Sequence, residues 1–129
     1  MPREPKLRPT DFELAILKVL WEQGPSTVRE VVEVMSQDRA VTYTTALKML
    51  QIMTEKGLVT RDESQRAHIY RSRESRRVVS QRLVGDLLER AFDGSASQLV
   101  LRALEHKQTT PEELAEIRRL LDEMERDKT

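Results

Sequence analysis

The residues best suited to chemistry form one cluster, Thr42-Tyr43-Thr44-Thr45 followed by Lys48. Hydroxyls donate and accept, so they match phosphate oxygens and base edges, and Thr and Tyr also offer apolar contact to thymine methyls. Lys48 favours a phosphate, and a helix opening at Thr42 would add the positive end of its amides. This points to double-stranded DNA. The competing reading is a helix cap and a solvated face, and Thr42 suits a cap under either. Around the cluster, residues 36 to 73 carry seven basic residues (Arg39, Lys48, Lys56, Arg61, Arg66, Arg71, Arg73) against four acidic ones (Asp38, Glu55, Asp62, Glu63). Arg39 precedes the cluster. Arg66, at the tip of a predicted turn, suits a phosphate or the minor groove, or else plain solvent. His68 completes the candidate DNA-binding set, although its ordinary strand position also fits a structural or solvent role.

Other chemistries find little support. Lys+Arg and Asp+Glu are both 22, so net charge is zero and only a local basic face argues for a polyanion. There is no cysteine, which rules out thiolate metal sites, disulfides and a cysteine nucleophile. His68 and His106 lie in different predicted segments, with no phosphate loop or metal spacing nearby. Glu112, Glu113 and Glu116 read as a helix N-terminus and solvated face. No catalytic residue, metal ligand or cofactor is expected, and the chain is not read as an enzyme. No apolar run nears the roughly 18 residues of a membrane span, and residues 1 to 9 are charged and proline-broken, unlike a secretory signal. The expectation is a cytoplasmic protein without membrane insertion.

The elements that must position the cluster follow from periodicity. Thr10 with Glu13, and Thr27 with Glu30, are capping boxes that open two helices. Phe12, Ile16, Val19 and Leu20 form the inner stripe of the first; Val28, Val31, Val32 and Met35 form that of the second. A third helix, capped by Thr42, carries Ala46, Met49, Leu50 and Met53 inward and ends at Gly57, a residue suited to the left-handed position after a helix. Residues 58–61 and 68–71 are β-favouring runs around a polar stretch, which predicts a hairpin. Helix, helix, helix, hairpin is the winged form of the helix-turn-helix. The fold class is therefore mainly α with a small β-hairpin. It divides into a winged helix-turn-helix domain over 1–75 and a C-terminal helical dimerisation arm over 76–129.

The arm poses a burial problem. Leu83, Leu87 and Leu88, then Leu99, Leu101 and Leu104, then Leu114, Ile117, Leu121 and Met124 recur at helical spacing. Ser95 with Gln98 is a further box, and Thr110-Pro111 with Glu113 marks the last helix start. A chain this short cannot wrap all three stripes. A two-fold homodimer through these residues would cover them; folding the arm back onto the winged domain is the other solution.

Several segments also resemble the BlaI/MecI penicillinase-repressor family. They are residues 17–31, with Val19-Leu20-Trp21-Glu22-Gln23-Gly24-Pro25, then 42–50, with Thr42-Tyr43-Thr44-Thr45, then 55–59, 66–70 and 92–95. The resemblance implies a dimeric repressor on a palindromic promoter operator. In β-lactam-responsive members a membrane metallopeptidase sensor triggers cleavage of the arm at an Asn-Phe bond; the aligned position here reads Arg102-Ala103. Copper-responsive relatives release DNA through a cysteine-rich tail, which a chain without cysteine lacks. The alternative function is a winged-helix protein-interaction module that does not bind DNA.

Overall fold

The computed structural model describes residues 8–106 and 108–128. Its elements run α1 (Asp11–Gln23), α2 (Val28–Met35), α3 (Tyr43–Lys56), β1 (Val59–Asp62), β2 (Ile69–Ser72), α4 (Arg76–Phe92), α5 (Ala96–His106) and α6 (Pro111–Lys128). Compact units divide inside α4, one reaching Leu83 and the other starting at Val84.

Local chemistry sets the helix ends of the first unit. Both capping boxes close in both directions: the Thr10 and Thr27 hydroxyls accept the Glu13 and Glu30 amides, and each glutamate accepts the amide of its threonine at 2.9 Å. The Thr42 hydroxyl accepts the Thr45 amide at 3.1 Å. At the other end of α3, Gly57 takes the left-handed conformation with φ 86°. This lets the Leu58 amide reach back to the Met53 carbonyl at 2.9 Å.

That helix-ending bond moves the hairpin. Its strands are 59–62 and 69–72, each one residue later than the runs predicted at 58–61 and 68–71. Leu58 gives its amide to the helix and buries its side chain in the core. At the far end Asp62 pairs with Ile69, and its carboxylate accepts the Ser64 amide to start the turn. His68 thus stands before β2, in the connection, and is not a strand residue. Ser26 adds an antiparallel bridge to Tyr70, with N–H···O distances of 2.9 and 2.8 Å.

The core joins Ile16, Leu17 and Leu20 of α1 to Val28 and Val31 of α2, Ala46, Leu50 and Met53 of α3, and Val59 and Tyr70 of the hairpin. Leu17 belongs to it although the predicted stripe omitted it, while Phe12 and Met49 pack only at its edge. Each fully buried aliphatic side chain stabilises by about 1.5–3 kcal/mol, so α3 is held by its back and leaves its front free. The first turns of α4 also join this unit. Val79 is buried, and Glu74 binds the Arg82 guanidinium through both oxygens, at 3.0 and 2.7 Å.

In the second unit Asp93 and Gly94 turn left-handed after α4, and the Ser95 hydroxyl caps α5 by accepting the Gln98 amide at 3.2 Å. Thr110 caps α6 in the same way at Glu113, with Pro111 in the first helical position. Neither α5 nor α6 contains a buried residue. Val84, Leu87, Leu101, Leu121 and Met124 are exposed, and Leu88, Leu99, Leu104, Leu114 and Ile117 are half-buried. A lone amphipathic helix face of this width in water is unfavourable.

Candidate nucleic-acid interface

The first turn of α3 presents its polar cluster outward. Tyr43, Thr44, Thr45 and Lys48 are exposed, while Ala46 and Leu50 face in. Tyr43 is 49% exposed, so its ring and hydroxyl are open to a partner. Thr42 is less available than its type suggests. Its hydroxyl accepts the Thr45 amide and donates to Thr45 Oγ1 at 3.0 Å, so the hydroxyl of Thr45 is left to donate outward.

Beside this turn lies a groove of about 360 Å³ between α2, α3 and the connection of the hairpin. Its lining includes Tyr43 and Leu47 of α3, Arg66 and His68 of the connection, and Arg29 of α2. No carboxylate lines it. The structure therefore brings Tyr43, Arg66 and His68 to one place, from residues more than twenty positions apart. Arg39 stands elsewhere. Its guanidinium lies 5.9 Å from the centroid of the Phe12 ring, a cation–π contact that orients it against α1.

Pairing decides which basic residues remain available. Lys56 binds Glu13, and Arg61 binds Glu63 at 2.6 Å. Hydrogen bonding to Tyr70 and then to Glu63 raises the Arg61 pKa further. Asp62 is held below the ordinary carboxylate value by its bonds to Ser64. Among the described residues, Lys48, Arg29 and Arg66 have no ion-pair partner, and the same holds for Arg71 and Arg73 of the wing; of these, Arg29 and Arg66 share the groove beside Tyr43. Arg29 was not among the predicted site residues. Its signal was present: with Val28, Val31 and Met35 inward, a helical wheel places Arg29 outward on the first turn of α2.

Among the described residues, no group of three or more His, Cys, Asp and Glu side chains is placed to hold a metal ion. No helix is long and apolar enough to cross a membrane, again among the described residues.

The family profile described as "Penicillinase repressor" matches residues 9–123. The transcriptional regulator BlaI of Mycobacterium tuberculosis is 35% identical over 118 residues, covering 89% of this chain and 83% of the relative. The penicillinase repressor of Bacillus licheniformis is 25% identical over 114 residues, covering 88% and 89%. A solution structure of Bacillus licheniformis BlaI, monomeric and in complex with a half-operator, matches with TM-score 0.48 and 24% identity over 59% of this chain and 90% of that one.

Proposed function

Since this chain belongs to the penicillinase repressor family and is a DNA-binding transcriptional repressor, we propose that it grips a palindromic operator as a homodimer. In this reading each copy lays the first turn of α3 in the major groove. Tyr43, Thr44 and Thr45 meet base edges and methyls there, Lys48 meets a phosphate, and Thr42 holds the helix end in shape. Arg66 and His68 of the wing, with Arg29 of α2, follow the backbone. Arg39 contributes charge from its seat on Phe12. The observation that carries the reading is the carboxylate-free groove with unpaired cations beside an exposed, hydroxyl-rich helix start.

The dimer reading is supported by the apolar surface of the second unit. Leu121 is 56% and Met124 59% exposed, and nothing within the described chain covers them. A second copy of the same helices is the simplest cover, and its two-fold symmetry matches a palindrome. In the same reading, a membrane metallopeptidase sensor triggers release from DNA. Arg102 and Ala103 sit exposed within α5, where Arg102 pairs with Glu105, so a protease would need that helix to unwind first.

The test is selection of bound duplexes from a random pool, followed by affinity measurement across salt. We expect a palindrome whose affinity falls about 10³–10⁵-fold between 50 and 200 mM salt, as for proteins with 6–10 phosphate contacts. Failure to bind any duplex at low salt would leave the protein-interaction reading in its place.

A further inference from the structure

Glu13 is buried, 1% exposed, in the first turn of α1. Its two oxygens serve different partners. Oε1 accepts the Thr10 amide at 2.9 Å and completes the capping box; Oε2 accepts Lys56 Nζ at 2.8 Å. Lys56 is the last residue of α3, 43 positions along the chain.

Capping does not explain this arrangement. The Thr27–Glu30 box has the same geometry at the exposed surface with no buried carboxylate. Burying a carboxylate is costly unless it is paired, and Lys56, its side chain 31% exposed, supplies the partner from the edge of the core. Such a pair adds little stability over apolar packing, and its best-attested use is to fix register. The other anchors of α3 are apolar, namely Ala46, Leu50 and Met53. Apolar attraction is non-directional, so it resists separation of the helices better than sliding along an axis. Among the described residues, no other α3 side chain makes a hydrogen bond or ion pair to another element.

We infer that Glu13 is a positioning residue for DNA recognition. Through Lys56 it sets the axial position of α3, and with it the Tyr43–Lys48 turn at the far end. A helix of 14 residues is a rod of about 20 Å at 1.5 Å per residue, stiff enough to carry a shift at one end to the other. The inference rests on the DNA reading above.

The experiment compares full-length Glu13→Gln, Lys56→Met and Lys56→Arg with the wild type on the selected operator and on a scrambled duplex of equal length. Measurements are made at a temperature where circular dichroism shows each protein folded. For Glu13→Gln and Lys56→Met we expect operator affinity to fall about tenfold, the scale of one good base contact. Scrambled-duplex affinity should stay within about twofold on the same scale. Lys56→Arg, which keeps a cation in reach of the carboxylate, should restore the operator affinity. Lowered melting temperature with both affinities unchanged would overturn the inference. Parallel loss on both duplexes would also overturn it, since Lys56 would then be an ordinary phosphate contact. If a single variant does not fold, Glu13→Gln with Lys56→Gln removes both charges and is judged by the same two affinities. A wild type that binds no duplex would remove the DNA reading itself, an outcome distinct from variants that bind as well as the wild type.

Discussion

The Trp21 indole Nε1 donates to Ser72 Oγ at 2.9 Å and to the Glu74 carbonyl at 3.1 Å, tying the last turn of α1 to the end of the wing. Ser72 Oγ also donates to that carbonyl at 2.6 Å, and the Arg76 guanidinium stands 5.8 Å from the ring centroid. A half-buried polar junction of this kind holds the start of α4 against the DNA reader. Trp21→Phe keeps an aromatic ring but removes the donor. Two hydrogen bonds and part of the ring contact are lost, so the expected cost is about 1–3 kcal/mol of unfolding free energy. Urea denaturation followed by circular dichroism checks it, since the variant has no tryptophan to report by fluorescence.

Lys48→Ala, Arg66→Ala and Arg29→Ala should each weaken operator binding and flatten the salt dependence, reducing the slope of log affinity against log salt by about 1 per lost phosphate contact. Thr44→Ala should weaken binding without changing that slope, because a hydroxyl carries no charge. Fluorescence anisotropy titrations at four salt concentrations separate the two behaviours. Unchanged affinity in both Lys48→Ala and Thr44→Ala would contradict the placement of α3 in the groove.

Leu121→Asp puts a charge on the exposed apolar face of α6. If that face meets a second copy, each copy loses a buried leucine and gains a carboxylate, and dimer dissociation should rise by at least about tenfold. Operator affinity should fall with it. Sedimentation equilibrium reads the first effect, and a monomer-like mass in the wild type would contradict the dimer.

Acid should loosen the junction at Glu74. Hydrogen bonds from Arg82 hold its carboxyl below the ordinary glutamate value, against a smaller opposing effect of burial. A carboxylate depressed in the folded state adds stability above its unfolded pKa and loses it as pH falls through the folded one. The wild type should therefore melt higher than Glu74→Gln near neutral pH, and the two should converge as pH drops below the ordinary glutamate range. Thermal melts across about pH 3 to 7 spanning that range test this; a constant difference at all pH values would exclude the ion pair as its cause.

Gly85 lies in the interior of α4, and a Cβ there would meet nothing within 4 Å. Gly85→Ala should then raise stability by roughly 0.5–1 kcal/mol through helix propensity alone. A loss of stability or a change of oligomeric mass would show that the glycine gives room to a partner.

Local rules wrote most of the frame in the sequence. The threonine–glutamate boxes, Gly57 and Pro111 act within four residues, so a start or end of α1, α2, α3 and α6 could be read from neighbours alone. The inward stripes of α2 and α3 follow from a period that any short window contains. The hairpin ran one residue late because Leu58 had two possible partners for its amide, and a nearby helix carbonyl took it.

What only tertiary structure decided lies between residues distant in the chain. Glu13 meets Lys56, Trp21 meets Ser72, and Ser26 bridges Tyr70, yet no window spans such pairs, and many closures of the same chain would be equally consistent with its periodicity. The DNA-facing cluster shows both halves. That Tyr43, Thr44 and Lys48 point outward was legible from the helix period. That Arg39 is drawn onto Phe12, that Thr42 spends its hydroxyl on Thr45, and that Arg29 and Arg66 share a groove with Tyr43 was not. Those outcomes depend on which side chains the fold brings within a few ångströms, where short-range electrostatics and packing choose partners that spacing alone leaves open.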